Sequence, residues 1–242
     1  MAGWALVTGA SGDIGSVVAR RLADEGYDVF LHTFRQQQAA DHLARQIRES
    51  GRQALVMRAN FAAPGATERF AEQVAQATGG VRAMVAAAAS GVMRPVAELT
   101  AHHLDWAFAV NVRAVSLLVT RLRPPATVAL TSPGSRRVVP GYGGVGPSKA
   151  ALESLVRYLA VELAPDCRVN ALSSGLADTR AARLLPDWAE LSATMRASTP
   201  LGRLVTAEDV ADGVAWLVSA QSAMITGATL VLDGGGGLLL SH

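Results

Sequence analysis

Tyr142 and Lys149 are the residues of this chain best placed by type and spacing to handle a proton. They stand in Y142-GGVGPS-K149, with six residues between them. A phenol near an ammonium is an acid/base pair, because the positive charge favours ionisation of the tyrosine. Lys149 is the only lysine; every other basic side chain among the 22 Lys+Arg positions is arginine. An arginine fork cannot imitate a compact ammonium. Tyr142 can also be read as a loop aromatic packed on the end of a sheet, and Asn111 as a helix residue satisfying backbone groups.

A second constellation lies near the start. Residues 8–15 read TGASGDIG, after a short apolar run and before a helical pattern. Glycines there let a backbone approach a pyrophosphate, and the helix N-terminus offers unpaired N–H groups and partial positive charge. The second apolar run ends His32-Thr33-Phe34-Arg35 without a carboxylate. An acid at that point would bind ribose hydroxyls and repel a 2′-phosphate, whereas Arg35 is placed to pair with one. NADPH is therefore expected over NADH.

The elements that must position these residues alternate. Strands are expected at Ala5–Val7, Asp28–Thr33, Ala54–Arg58, Ala83–Ala88, Thr127–Thr131, Arg168–Leu172 and Thr229–Leu232. Helices are expected at Ile14–Glu25, 37–49, Thr67–Ala77, 103–121, Ser148–Leu163 behind Pro147, and Glu208–Leu217. Strict β–α alternation implies an α/β fold: a Rossmann-like, doubly wound parallel sheet with helices on both faces. Ligands then sit at the carboxyl ends of the strands. One domain spanning 1–242 suffices, with the segment at about 177–204 read as a substrate lid.

Bulk properties narrow the classes. The formal charge is +2 and the basic residues are scattered, which argues against a nucleic-acid partner. One cysteine, Cys167, makes neither an internal disulfide nor a cysteine zinc site. No metal site is expected. No apolar run is long enough to span a membrane, and MAGWALVTGAS lacks the basic start of a signal peptide. A cytoplasmic protein is the expectation.

The first strand, the turn and the later residues, the Tyr–Lys pair among them, together resemble the short-chain dehydrogenase/reductase family. That family's turn is TGxxxGxG, so Asp13 stands where the middle glycine is usual. An acid facing a pyrophosphate would be repelled, and Asp13 is expected to point to solvent or to cap the helix. The resemblance places the cofactor on Gly9, Ser11, Asp13, Ile14, Gly15, Arg35, Asn60, Phe61, Ala87, Lys149 and Thr179. Where the family carries Asn-Asn-Ala-Gly, this chain has four alanines at 86–89. Ser174-Gly175 replaces the usual Pro-Gly after the sixth strand.

The family's tyrosine is usually four residues before its lysine, but that position here is Val145. The longer spacing is similar to enoyl-acyl-carrier-protein reductases. So are ASGVMRPVAEL at 89–99, the stretch from Tyr142 to Pro165, the stretch from Thr199 to Arg203, and ITGATLVLDGG at 225–235, which look like the NADPH-dependent branch often called FabL-type. The resemblance implies catalytic roles for Tyr142, Lys149, Asn111 and Ser132, with Thr131 an alternative to Ser132. In enoyl reduction negative charge develops on the thioester oxygen, three bonds from the carbon that accepts hydride, so the donor must sit further from the nicotinamide.

The expected reaction is reduction of the carbon–carbon double bond of an enoyl thioester, on acyl carrier protein or CoA, in fatty-acid or polyketide-type biosynthesis. The alternatives are a ketoreductase and a non-catalytic cofactor-binding relative. Leu184, Leu185, Trp188, Leu191 and Met195 are expected to form an apolar wall for an acyl chain. Arg180, Arg183 and Arg196 are expected to meet a phosphopantetheine or an acidic carrier helix. His102 and His103 are given no role. The family implies a homotetramer, for which Leu152, Leu155, Val156 and Leu159 are available; the same positions also suit simple core packing.

Overall fold

Two apolar runs that are buried along almost their whole length form the centre of the molecule. They are β1 (Trp4–Thr8) and β4 (Val81–Ala86). In the computed structural model, which describes residues 3–185 and 187–238, they lie side by side in a seven-stranded sheet. The other strands are β2 (Asp28–Thr33), β3 (Ala54–Arg58), β5 (Ala126–Thr131), β6 (Arg168–Ser174) and β7 (Thr229–Leu232). Their order is β3-β2-β1-β4-β5-β6-β7, and every pairing is parallel. A parallel sheet is covered on both faces, which is why its strands read as continuous apolar runs.

Two cores result. Helices α1 (Asp13–Asp24), α2 (Gln37–Glu49) and α8 (Ala207–Val218) bury Val18, Leu22, Leu43, Ile47, Val210 and Val214 on one face. On the other, α3 (Ala66–Thr78), α5 (Ala114–Leu122) and α6 (Gly146–Glu162) bury Phe70, Val74, Leu118, Leu152, Val156 and Leu159. The chain winds outward from β1 to β3 and then returns to place β4 beside β1. That reversal opens a crevice at the carboxyl ends of the central strands.

Two elements differ from the sequence expectation in ways that bear on the site. The helix expected at 103–121 is α4 (Ala101–Phe108), a wider π-helical turn over Ala109–Arg113, and then α5. Asn111 lies inside the wide turn, a form common at functional sites. Helix α4 starts with a reciprocal cap: Thr100 Oγ1 accepts from His103 N–H, and His103 Nδ1 accepts from Thr100 N–H. Here histidine takes the part more often played by Glu or Gln. Strand β4 stops at Ala86 rather than Ala88, leaving most of the alanine run above the sheet.

The 177–204 segment is bounded at its base by an isolated parallel bridge between Ala177 and Val205. It contains a short 3₁₀ turn at Ala182–Leu184 and helix α7 (Trp188–Ser198), none of whose residues is buried. Leu152, Val156 and Leu159, considered above for oligomer formation, are buried in this chain's own core, and Leu155 packs against it. The exposed apolar residues of α6 are Tyr158 and Val161.

Candidate active site

The phosphate turn is built by close backbone approach. Gly9 has φ +66°, and a Cβ there would come within 2.7 Å of Ala88 N and Cα. A Cβ on Gly15 would lie 2.3 Å from Gly9 O. Neither position tolerates a side chain, while Thr8 Oγ1 accepts from Ala88 N–H at 3.1 Å and ties the turn to the end of β4. The first helical bond of α1 runs from Ser16 N–H to Gly12 O. The N–H groups of Asp13, Ile14 and Gly15 therefore precede the ladder and face outward as donors.

His32 fixes the other side of the turn. Its Nδ1 accepts from Gly9 N–H at 3.1 Å, its carbonyl accepts from Ala10 N–H at 2.9 Å, and its Nε2 lies 3.1 Å from Ala59 O. Accepting at Nδ1 leaves the proton on Nε2, which donates to Ala59 O. The ring is 3 % exposed and stacks on Phe61 with centroids 4.0 Å apart. Burial pushes the imidazole down to about 4, against the hydrogen bond to Ala59. Nothing in the sequence marked His32, because a strand covered on both faces shows no alternation to single out an inward polar residue.

At the end of β2 the Arg35 guanidinium lies 5.4 Å from the centroid of the Phe34 ring and 5.6 Å from that of Trp106. Cation–π attraction thus holds the cation against two rings at the mouth of the cleft. Asn60 Oδ1 accepts from Ala62 N–H, which shapes the loop after β3.

The proton-handling end is assembled by β5 and α6. Ser132 Oγ and Tyr142 Oη share a hydrogen bond of 3.1 Å. Thr131 points elsewhere, donating to Glu153 Oε1 at 2.9 Å. Of the two adjacent hydroxyls, Ser132 is the one that meets the tyrosine. Gly134 allows this, because a Cβ there would come 2.5 Å from the Tyr142 ring. Burial pushes the phenol up, and the Ser132 bond works against that. The phenol accordingly stays protonated through neutral pH. Val145, four residues before Lys149, is buried at 1 % exposure and offers no donor.

Lys149 Nζ donates to Leu130 O at 2.7 Å, at the carboxyl end of β5. Burial pushes its ammonium down to about 8, and the charge of Glu153 acts to raise it. Glu153 was not singled out in the sequence, although it lies four residues after Lys149 on the same helix face. It is 5 % exposed and fully engaged. Oε1 accepts from Thr131 and from Ser135 Oγ (2.6 Å), and Oε2 lies 3.1 Å from both Nε and Nη2 of Arg136.

Asn111 does not follow the expectation of a catalytic group. It is 1 % exposed; Oδ1 accepts from Ser90 N–H (2.9 Å), and Nδ2 donates to Ser148 Oγ (2.8 Å) and Ser90 Oγ (3.3 Å). Its side chain joins the 89–99 loop to the start of α6, one residue before Lys149, and does not line the cleft. It is a positioning residue.

The cleft measures about 800 Å³. It is lined by every cofactor position named from the sequence and by Ser132 and Tyr142. Thr179 lines it while its Oγ1 accepts from Ala182 N–H. Of the expected apolar wall, only Leu184 lines the cleft; Leu185 is buried, and helix α7 carries Trp188, Leu191 and Met195 elsewhere. His102 and His103, given no role above, do line it. Two of the three expected carrier arginines have acidic partners within the chain: Arg180 pairs with Asp13 and Arg183 with Asp178. Asp13 neither caps α1 nor simply points to solvent, as had been expected.

A dinucleotide fits these residues. The turn supplies outward N–H donors where no Cβ could stand, the cleft has the volume of a ligand site, and Lys149 lies beyond the turn within the same cleft. The family model described as enoyl-(acyl carrier protein) reductase matches residues 9–236.

The chain belongs to the short-chain dehydrogenase/reductase family.

It is 34 % identical to 1-cyclohexenylcarbonyl-CoA reductase of Streptomyces collinus, covering 95 % of this chain and 85 % of that one. It is also 34 % identical to cis-4-hydroxycyclohexanecarboxylate dehydrogenase of Sinomonas cyclohexanicum, covering 96 % and 95 %. A crystal structure of a short chain dehydrogenase from Burkholderia cenocepacia J2315 in complex with NADP superposes with a TM-score of 0.88 at 31 % identity, covering 96 % and 97 %. This short-chain dehydrogenase/reductase is an NAD(P)-dependent oxidoreductase, and structural relatives bind NADP(H). No helix among the described residues is long and apolar enough to cross a membrane, and none of their His, Cys, Asp and Glu side chains form a metal-binding group.

Proposed function

We propose that this protein uses NADPH to reduce the carbon–carbon double bond of an enoyl thioester, carried on acyl carrier protein or CoA, in fatty-acid or polyketide-type biosynthesis. The observation that carries the reading is the donor's position. Tyr142 sits on the Gly-rich loop ahead of α6, hydrogen-bonded to Ser132, while the family's usual donor position is a buried valine. NADPH supplies the hydride, which goes to the β-carbon. Tyr142 then passes its proton to the thioester oxygen, where negative charge gathers, and the enol so formed tautomerises to leave that proton on the α-carbon. Ser132 orients the phenol. Lys149 holds the ribose hydroxyls and lends the phenol its field, and Glu153 anchors the strand end and helix that carry the pair. Arg35, held against Phe34 and Trp106, pairs with the 2′-phosphate. The 177–204 segment serves as a lid, with Leu184 against the acyl chain. A cytoplasmic homotetramer is part of the same proposal.

The test offers NADPH with a crotonyl thioester and, separately, an acetoacetyl thioester. Turnover of the first supports the assignment; oxidation of NADPH with the second alone overturns it. The result would then favour carbonyl reduction, a reading supported by the Ser132–Tyr142 pair, which suits a ketone oxygen equally well, and by the likeness to a hydroxy-acid dehydrogenase. The cofactor has its own test. Arg35→Ala should weaken NADPH binding about tenfold and leave NADH binding unchanged, as for loss of a charge-assisted contact.

A further inference from the structure

Asp13 is the only carboxylate among the described residues lining the cleft. It sits in the first turn of α1, where the family's glycine would leave the helix N-terminus open to a pyrophosphate. An anion fixed there competes with the cofactor for the same positive potential. The structure shows what answers it. Arg180, 167 residues later, donates its backbone N–H to Asp13 Oδ2 at 2.6 Å and its Nε to Oδ1 at 2.7 Å. Its Nη2 reaches Ser11 O at 3.3 Å. The Gln36 amide, turned so that its NH₂ donates to Ser11 O at 2.8 Å, accepts from Arg180 Nη1 at 3.1 Å. One residue of the lid is thus bonded to the phosphate turn and to the loop after β2.

We infer that Arg180 neutralises Asp13, making an acid-bearing phosphate turn compatible with the dinucleotide pyrophosphate and fastening the lid over it. A glycine at position 13 would need no neutralising and would leave the lid only the longer contacts to Ser11 O and Gln36. Asp13 and Arg180 therefore form one device split between two distant parts of the chain. Arg180 acts through Asp13 and is a positioning residue. The inference rests on the family's cofactor and is independent of which double bond is reduced.

The experiment is calorimetric titration of the intact protein with NADP⁺, without substrate, in the parent, Arg180→Ala, Asp13→Gly and the double variant. Unmasking a partly exposed charge beside an anionic ligand should raise Kd roughly tenfold in Arg180→Ala. In the double variant the loss should disappear, with Kd within about threefold of Asp13→Gly alone. Asp13→Asn replaces Asp13→Gly if the glycine weakens α1 enough to unfold the protein. Equal losses with and without Asp13 would show that Arg180 contacts the phosphates directly and would overturn the inference, as would a Kd for Arg180→Ala within twofold of the parent. Trypsin cleavage at the exposed Arg183 and Arg196 provides the second readout. Both single variants should be cut faster than the parent, and unchanged cleavage in both would overturn the fastening.

Discussion

The β1–α1–β2 corner and the 177–204 segment line one cleft and are built on opposite terms. In the corner the backbone itself is the device. Gly9 and Gly15 are packed too closely for any side chain, and His32, buried and stacked on Phe61, holds the turn through Gly9 N–H and Ala10 N–H. In the 177–204 segment, helix α7 buries nothing, and an arginine bonded to the acid of the phosphate turn makes the connection. Burial makes the first region rigid and intolerant of change. The second is bonded at its surface and free to vary. A cofactor common to a whole family calls for the first kind of construction, and a substrate peculiar to one member for the second.

The contrast can be broken at four places, in order of expected effect. Tyr142→Phe tests whether the fixed side does the chemistry: kcat should fall roughly 10²- to 10⁴-fold, as for loss of an acid/base group, with NADP⁺ affinity retained. Near-parental turnover would assign proton handling to another donor.

His32 tests the rigidity of the corner through pH. Its folded-state pKa, about 4, lies below the ordinary 6.5, so between those values the unfolded chain binds a proton that the folded chain excludes. Stability must fall as pH drops through that window, by about 3 kcal/mol in all. In His32→Phe, denaturant unfolding followed from pH 7 to 4 should show a flatter acid limb on a lower plateau. An unchanged slope would mean that other groups set it.

Glu153→Gln tests the support beneath Lys149. Removing the carboxylate removes what raises the lysine, already at about 8. The ammonium should lose its proton earlier, moving the alkaline limb of the pH–rate profile down by about one unit. A limb that stays in place would show that Glu153 serves packing alone.

Leu184→Ala tests the permissive side. KM for an acyl thioester should change a few-fold while unfolding free energy stays within about 0.5 kcal/mol of the parent. A large loss of stability would show the 177–204 segment to be part of the core.

The same contrast decides what was legible in the sequence. The parallel sheet could be read because doubly covered strands are unbroken apolar runs, and the phosphate turn because glycine marks places without room. The end of β4 could not be read, since Ala86–Ala89 presents four identical side chains with no change at the boundary. The wide turn at Ala109–Arg113 was hidden because a single π turn barely disturbs helical periodicity. The partners of Asn111, Ser90 and Ser148, could not be read, because only tertiary packing brings them together. The role of Asp13 was out of reach for the same reason: its partner lies 167 residues away.

The solitary lysine has a practical meaning beyond catalysis. A chain whose surface cations are all arginine presents one side-chain amine, and that amine faces the cofactor cleft. Reductive methylation with ¹³C-formaldehyde would mark Lys149 and the chain's N-terminal amine and no other nitrogen. The resulting spectrum would hold a single side-chain resonance, a built-in reporter of what occupies the cleft.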